Sequence, residues 1–276
     1  VKKLCKERLP LFDLTEDQIV NIIGEQRSNF CISSSLETIF DNPYCICEEY
    51  VGSDIEDRIG FHRIDNGMVP PPELGSKIER TPLDDPRRLR AIMVKLLETA
   101  GEQGHTFIDR QDLFTRIHKK HEISGKKGRF LLDEAAWRQH KPFFTTKLVA
   151  DQVTGLEAVF LERLHSAERK IRKEIVDLMK EELLPPSNRN WRKIIEEGFK
   201  EEGITEKPIE AAIAQQVQAL EVLYRTRLAI LTGGAGVGKT TVLRAFARGV
   251  REIDKNHKFL LLAPTGKASV IMRRKV

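Results

Sequence analysis

The chain has 276 residues with a formal net charge of +5, and 32% of its residues are charged, a length that allows two or three domains of ordinary size. No apolar run approaches the roughly 20 residues of a membrane-spanning helix, which excludes a helical membrane protein and predicts a soluble one. The mild basic excess is compatible with a nucleic-acid partner, although scattered Lys and Arg residues also serve solubility alone.

The first part of the chain is predicted to form short helices, because its apolar residues recur at helical spacing. Thr15 is a plausible N-cap with Gln18 at the capping-box position, and the serines at 34–35 can start the next helix. That helix should end at residues 42–44, and a further short turn of helix is expected over 56–60. Three consecutive prolines then indicate a stiff connector.

All four cysteines lie in the first fifth of the chain, at Cys5, Cys31, Cys45 and Cys47. No C-x-x-C pair occurs, and the single residue between Cys45 and Cys47 does not suit the common zinc spacing. No secretory signal precedes them. We therefore favour reduced structural thiols over the alternative, a metal or cluster site.

A strong helix start follows the proline-rich connector. Asp85 is placed to cap the helix and Pro86 to occupy its first position, and its apolar face should continue to about Gly101. Residues 104–108 are predicted to be extended and residues 109–118 helical. Helix, short extended segment, helix and a small β piece together suggest a winged-helix-like arrangement.

Two segments in this region allow alternative interpretations. Residues 119–128 form a basic, glycine-containing stretch, which is either a solvated loop or a contact with a phosphate backbone. Residues 130–134 resemble an apolar strand that ends in Asp-Glu, as in a Walker B motif. We reject that interpretation, because the apolar run has only three residues and Glu134 leads directly into a predicted helix.

A long amphipathic helix is predicted over residues 159–184, and residues 185–188 end it at a domain boundary. Two further helices are expected over 191–199 and 209–223. The residues predicted to form the buried stripe of the long helix are Leu161, Leu164, Ile171, Ile175 and Leu178. Beyond the helices, two short apolar runs at 228–231 and 258–263 are predicted to be strands that are buried in a parallel sheet.

A glycine-rich segment follows the first of these strands and fits the phosphate-loop pattern G-x-x-x-x-G-K-[ST] at residues 233–240. Glycines at 233, 236 and 238 let successive backbone N–H groups wrap a phosphate. Lys239 would contact the β- and γ-phosphates, Thr240 would ligate Mg²⁺, and Thr241 is placed for the α-phosphate. The predicted nucleotide-binding residues of this loop are Gly233, Gly234, Ala235, Gly236, Val237, Gly238, Lys239, Thr240 and Thr241. Lys239 and Thr240 are also the predicted catalytic residues.

Two motifs near the C-terminus resemble those of the first RecA-like domain of RecD-like superfamily 1 DNA helicases. They read Gly-Gly-Ala-Gly-Val-Gly-Lys-Thr-Thr at 233–241 and Leu-Ala-Pro-Thr-Gly-Lys-Ala at 262–268, at the spacing of that family. Gln216 matches the family's Q-motif glutamine, which reads the adenine edge. An amide suits this role because it can both donate and accept a hydrogen bond.

The resemblance implies that the second motif grips the DNA backbone. A hydroxyl and a cation at the end of a strand suit phosphate contact. The alternative is a strand-to-helix turn with an ordinary surface lysine. The predicted DNA-binding residues are Pro264, Thr265, Gly266 and Lys267.

The upstream region resembles the helical region that precedes the motor in the same family. The shared landmarks, in order, are Asn-Pro-Tyr at 42–44, Asp-Asp-Pro-Arg-Arg-Leu-Arg-Ala at 84–91, Gly-His-Thr at 104–106 and the segment 159–168. The family's helix-hairpin-helix segment between the first two landmarks usually has a Gly-x-Gly turn. Here that turn reads Gly-Ser-Asp at 52–54, which puts DNA-backbone binding by this hairpin in doubt.

The resemblance implies a multi-domain protein, with a mainly α-helical N-terminal region followed by the start of a P-loop α/β RecA-like domain. We predict a helical, helix-hairpin-helix-like region over 1–78. A helical, winged-helix-like region is predicted over 79–186, and an incomplete RecA-like P-loop NTPase domain over 187–276. The chain starts at Val1 rather than Met and stops soon after a predicted strand, which suggests a fragment.

The implied activity is that of an ATP-dependent DNA helicase and single-strand translocase that moves 5′ to 3′ in DNA repair or recombination. ATP and Mg²⁺ would be its cofactors. Single-stranded DNA and DNA junctions would be its partners, with unidentified repair or recombination proteins. The later motor motifs are not in the sequence, so the isolated chain is expected to turn over little nucleotide. The alternatives are another P-loop NTPase, such as an AAA-type ATPase, or a DNA- or protein-binding module with an inactive motor.

Overall fold

The computed structural model describes residues 1–54, 56–70, 81–123, 132–201, 210–234, 236–263, 266 and 269–270. The chain divides into two compact units, Val1–Glu168 and Arg169–Val276. The described residues are mainly helical, with one small antiparallel sheet. No described helix has both the length and the apolar character needed to cross a membrane.

Five short helices open the first unit. They are α1 (Lys2–Glu7), α2 (Glu16–Ile23), α3 (Leu36–Asp41), α4 (Tyr44–Glu49) and α5 (Phe61–Met68). The predicted capping box at the start of α2 is confirmed, since Thr15 accepts from the Gln18 backbone and the Gln18 side chain accepts from Thr15. Ser35 caps α3 through a hydrogen bond from the Thr38 backbone, which is also as predicted.

The helical turn predicted over residues 56–60 is wrong, because residues 56 and 57 form a turn and α5 begins only at Phe61. Local side chains explain the difference. Asp54 accepts hydrogen bonds from the backbone N–H groups of Glu56 and Asp57, which satisfies these donors without a helix. Asp57 in turn accepts from Gln18 and Tyr50, so this turn is tied to α2 and to the end of α4.

The second half of the first unit combines three helices with three strands. Their order is α6 (Pro86–Glu102), β1 (Phe107–Asp109), α7 (Arg110–Ile123), α8 (Glu134–Phe144), β2 (Leu148–Val153) and β3 (Leu156–Leu161). Asp85 caps α6 and Pro86 is its first residue, as predicted. The apolar face of α6 is buried in the core of the unit, where Leu89, Met93 and Leu97 are fully buried. This helix therefore organises the unit.

The sheet has the strand order β1-β3-β2, with both pairs antiparallel. Strands β2 and β3 form a hairpin through the two residues Thr154 and Gly155, both with positive φ. Residues 159–161 were predicted to begin a helix and instead complete β3. The reason is their position in the sheet, where all three pair with β2, Val159 and Phe160 also pair with β1, and all three are buried.

Further predictions differ from the structure in α7 and in α9 (Glu162–Lys180), the helix that crosses from the first unit into the second. Residues 119–123 were predicted to lie in a basic loop and instead extend α7, while the rest of that stretch lies outside the described residues. The long helix, α9, is shorter than predicted. Its predicted buried stripe is wrong for Ile171 and Ile175, which are 58% and 38% exposed. An amphipathic pattern shows that one face of a helix is suited to burial. Among the described residues, however, nothing covers Ile171 and Ile175 of α9.

The second unit contains most of α9 and three further described helices, α10 (Trp191–Glu201), α11 (Glu210–Arg225) and α12 (Lys239–Ile253), which pack together. Their shared core contains Trp191, Ile194, Ile195, Leu220, Val242 and Ala245. The predicted strands at 228–231 and 258–263 are not formed, and Ile230 and Leu260 are 84% and 83% exposed. A buried parallel strand needs neighbouring strands and helices on both faces, and the described residues of this unit supply helices only.

Candidate nucleotide-binding site

The glycine-rich segment forms an open loop in front of α12. Gly233, Gly236 and Gly238 have φ values of +156°, +78° and +88°, a region that residues with a Cβ avoid. A Cβ at position 233 would lie 2.8 Å from the Val237 side chain. Ala235 lies outside the described residues. Positive φ therefore favours glycine at both fixed glycine positions of the pattern, 233 and 238, and also at 236.

The loop leads directly into the first turn of α12. Gly238 is the N-cap residue and has no side chain to satisfy the N–H groups at the start of the helix. These donors and the positive end of the helix dipole favour an anion at this position. Thr240 is exposed on the first turn and Thr241 is half-buried beside it, so the Thr240 hydroxyl can be reached by a metal ion.

The Lys239 ammonium is held inside the loop. Its Nζ donates to the carbonyl oxygens of Gly233 at 2.7 Å and Gly234 at 2.5 Å. Lys239 is the first residue of α12, and these two hydrogen bonds direct its ammonium group back to the loop. A phosphate oxygen that enters the loop would compete with two carbonyls for the same ammonium.

Gln216 on α11 is brought next to this loop. Its Nε2 lies 2.7 Å from the position that a Cβ on Gly238 would take. Its Oε1 is buried and accepts no hydrogen bond from any residue that the structure describes. A buried acceptor without a donor costs free energy, which a ligand that donates to this oxygen would recover.

A hydrogen-bonded network fixes α10 and α11 behind the loop. Glu221 accepts hydrogen bonds from Trp191 Nε1 at 2.9 Å and from the Ser187 hydroxyl at 2.7 Å. Partial burial of Glu221 raises the pKa of its carboxyl, but these hydrogen bonds outweigh that effect and the net pKa is lowered. The charged carboxylate thus joins two helices, and α11 carries Gln216.

Only one residue of the predicted DNA-binding segment is among the described residues. Gly266 is in a helical turn, whereas Pro264, Thr265 and Lys267 lie outside the described residues. Their contact with DNA stays a prediction. The four cysteines are free thiols, and burial raises the pKa of Cys45 and Cys47. Within the described ranges, no group of three or more His, Cys, Asp or Glu residues is placed to hold a metal ion.

Two of the upstream landmarks contribute to a buried polar cluster rather than to an exposed site. The Tyr44 hydroxyl and the Arg88 guanidinium both donate to Asp65, at 2.8 Å and 2.6 Å. Arg90 donates to Glu48 through two nitrogens, at 2.9 Å and 2.7 Å. Burial, with Asp65 beside it, raises the pKa of Tyr44. The sequence did not predict this cluster, because the carboxylate partners lie on α4 and α5, about 20 to 40 residues away along the chain.

Comparison with known proteins finds a family match that covers the glycine-rich loop. The family model of an AAA domain matches residues 216–276, which include Gln216 and the glycine-rich segment. An uncharacterized protein of Methanocaldococcus jannaschii is 28% identical over 290 aligned residues, which cover 100% of this chain and 24% of that protein. The ATP-dependent RecD2 DNA helicase of Deinococcus radiodurans is 29% identical over 197 residues, which cover 68% of this chain and 25% of the helicase.

The chain thus spans about a quarter of the length of these two curated relatives. No solved structure matches the chain significantly. The similarity to the Deinococcus protein extends over more of the chain than the family model does, and so includes part of the helical region upstream of the loop.

Proposed function

We propose that this chain, which contains a region related to the RecD-like helicases, is part of an ATP-driven DNA helicase that moves along single-stranded DNA. One observation carries the proposal. Gly233, Gly236 and Gly238 of the glycine-rich loop have positive φ, and Gln216, whose carbonyl oxygen accepts no hydrogen bond from the described residues, lies beside Gly238. These positions support a site in which the loop would bind phosphates and the neighbouring amide would pair with adenine.

Each residue of the loop has a role in this proposal. Backbone N–H groups of the loop and of the first turn of α12 would bind the phosphates, and Lys239 would move from the carbonyls of Gly233 and Gly234 to the terminal phosphates. The Thr240 hydroxyl would hold Mg²⁺, which supplies charge neutralisation at the transferring phosphate. Gln216 would select adenine.

The remaining parts of the proposal concern DNA. Residues 264–267 would contact the backbone of a single strand. The order α6-β1-α7-α8-β2-β3 with the sheet order β1-β3-β2 supports a winged-helix-like module, preceded by the helix-hairpin-helix-like region. We retain the division at residues 78 and 186 as part of the proposal. The full-length protein would act in the cytoplasm, 5′ to 3′, on junctions that arise in DNA repair or recombination.

The test is ATP hydrolysis by the full-length protein with and without single-stranded DNA, beside Lys239→Ala and, as a matched control, Lys255→Ala. Lys255 is an exposed lysine beyond the end of α12. We expect hydrolysis that DNA stimulates, loss of about 100-fold or more in Lys239→Ala, and wild-type rates in the control. DNA binding without hydrolysis would instead identify a binding module, and hydrolysis indifferent to DNA would point to another class of P-loop NTPase.

A further inference from the structure

The outer face of α8 is an exposed surface that the nucleotide site does not use. Arg138, Gln139 and Lys141 are exposed on this helix, together with the smaller residues Ala135 and Pro142; these five residues are called the α8 face below. At about 100° per residue, positions 135, 138, 139 and 142 share one side of the helix, and 141 flanks it.

The three polar side chains of the α8 face are exposed. Among the residues that the structure describes, Arg138, Gln139 and Lys141 have no side-chain hydrogen bond or ion pair. Many arginines of the first unit instead contact a carboxylate; these are Arg58, Arg63, Arg87, Arg88, Arg90, Arg110 and Arg116. The charge of a cation that is not neutralised within the protein can attract an anionic binding partner.

The opposite side of α8 is firmly anchored. Trp137 and Phe144 are almost fully buried, with ring centroids 5.5 Å apart, and Phe114 of α7 packs against Trp137 at 5.9 Å. Asp133 caps the helix through the Ala136 backbone N–H at 2.8 Å. The α8 face is therefore presented by a rigid helix, which reduces the entropy cost of binding.

Nearby acidic residues are neutralised within the unit. The Arg110 guanidinium lies 2.9 Å from a carboxylate oxygen of Glu134, on the first turn of α8, and 2.6 Å from one of Glu157 on β3. Gln111 donates a further hydrogen bond to Glu134. Because these acids are paired and Asp133 is occupied as a cap, the charges that remain unpaired on α8 are positive.

We propose that the α8 face docks double-stranded DNA, with α8 in the major groove. The proposal rests on the proposed function and adds that the protein holds the duplex arm of its substrate. The major groove admits one α-helix, and Ala135 and Pro142 are small enough to allow close approach. Arg138 and Lys141 suit phosphates or guanine, and the Gln139 amide suits adenine. A single strand offers no such groove.

The experiment measures fluorescence anisotropy with the 276-residue chain and no nucleotide, so that it does not depend on hydrolysis. The probes are a duplex of about 20 base pairs, two helical turns, and one of its strands alone, at salt between about 50 and 200 mM. The test variant combines Arg138→Ala with Lys141→Ala. The control combines Arg172→Ala with Lys173→Ala, which removes the same charge from exposed positions of α9.

We expect the test variant to lose about 10- to 100-fold in duplex affinity and to lower the salt slope by about 2, with little change for the single strand. The charge-conserving pair Arg138→Lys with Lys141→Arg should retain most duplex binding, and the melting temperature should be unchanged in all variants. An equal loss in the α9 control, an equal loss on the single strand, or no duplex binding by the wild type would each overturn the proposal. Unchanged duplex binding in the test variant would also overturn it and leave the α8 face for a protein partner. If one of these outcomes occurs but Lys239→Ala abolishes ATP hydrolysis, only the proposal for the α8 face fails and the proposed function is retained.

Discussion

Gly249 on α12 is in such close contact with Trp191 that a side chain at this position would clash. A Cβ would lie 2.2 Å from Cζ3 of the indole and 3.2 Å from the Ile194 side chain. We therefore expect Gly249→Ala to lower the free energy of unfolding of the second unit by about 1–3 kcal/mol, since the buried indole has no room to move. Urea denaturation followed by tryptophan fluorescence would measure the change.

The matched control for this prediction is Gly198→Ala. Gly198 lies within α10, and nothing is within 4 Å of the position that its Cβ would take. The same substitution there should stabilise the unit by up to about 1 kcal/mol, because alanine is the better helix former. If both variants changed stability in the same direction, helix propensity rather than the contact with Trp191 would govern position 249.

Glu49 makes the stability of the first unit depend on pH. Its carboxylate accepts hydrogen bonds from the backbone N–H groups of Ser33 and Ser34 at 2.7 and 2.9 Å and from Lys147 Nζ at 2.7 Å. Burial raises the pKa of Glu49, but these contacts outweigh it and hold the pKa below the ordinary value of 4.5. The stabilisation is therefore complete above about pH 4.5 and is lost as the pH falls through the lowered pKa.

Glu49→Gln should remove this contribution. We expect the variant to be less stable than the wild type by about 1–3 kcal/mol near pH 7, and the difference should shrink as the pH is lowered below about 4. Chemical denaturation of both proteins at several pH values would show it. Glu25→Gln, at an exposed position, should stay within about 0.5 kcal/mol of the wild type. A difference for Glu49→Gln that is constant with pH would contradict the role of the charged form.

Among the elements, the β2–β3 hairpin has a two-residue turn in which Gly155 suits the backbone conformation and Thr154 does not. Thr154 and Gly155 have φ values of +49° and +85°, and the two-residue loop joins the paired residues Val153 and Leu156. A two-residue turn with two positive φ values favours Asn-Gly, and a β-branched residue is disfavoured there. Thr154→Asn should therefore stabilise the first unit by about 0.5–1 kcal/mol, measured as a higher melting temperature.

Gly155→Ala tests the same turn in the opposite direction. Nothing lies within 4 Å of the position of the added Cβ, so any cost comes from the backbone conformation alone. We expect a loss of about 1–2 kcal/mol. No loss, or a loss in Thr154→Asn, would mean that the turn does not keep these dihedral angles in solution.

The elements that the sequence predicted correctly are those with local signals. The capping box of Thr15 and Gln18, the Ser35 cap and the Asp85-Pro86 start of α6 each depend on residues a few positions apart, and all three are present. The phosphate-loop pattern is local in the same way. Its two fixed glycines, Gly233 and Gly238, have positive φ, as does Gly236 between them, and their role in binding stays a prediction.

The predictions that were wrong depend on partners far along the chain. Residues 159–161 read as the start of an amphipathic helix, but their burial is decided by β1, about 50 residues earlier. The stripe of α9 and the apolar run at 228–231 were assigned to buried surfaces from their pattern alone. The buried polar pairs Tyr44–Asp65 and Arg90–Glu48 were missed for the same reason, because the partners in each pair are far apart along the chain. The periodicity of apolar residues identifies which face of an element is suited to burial. Which element covers that face depends on the tertiary fold.

At the scale of the whole molecule, the two units have separate cores, so a ligand of one unit can be detected by which core it stabilises. The core of the second unit joins α10, α11 and α12 and includes Val242, three residues after Lys239. If the loop binds nucleotide, Mg-ATP should stabilise this unit by about 2.7 kcal/mol at a hundredfold excess over Kd. The core of the first unit, centred on α6, contains no residue of the loop.

Hydrogen exchange read by mass spectrometry would separate the two units in one experiment. We expect Mg-ATP to slow exchange in α10, α11 and α12, because these helices share the core that the bound loop stabilises, and to leave α2 and α6 unchanged. Lys239→Ala should abolish the protection, since the ammonium held by Gly233 and Gly234 would no longer be available to the phosphates. Lys255→Ala should retain it. Protection that persists in Lys239→Ala, or that is as strong in α6 as in α12, would place the nucleotide somewhere other than this loop.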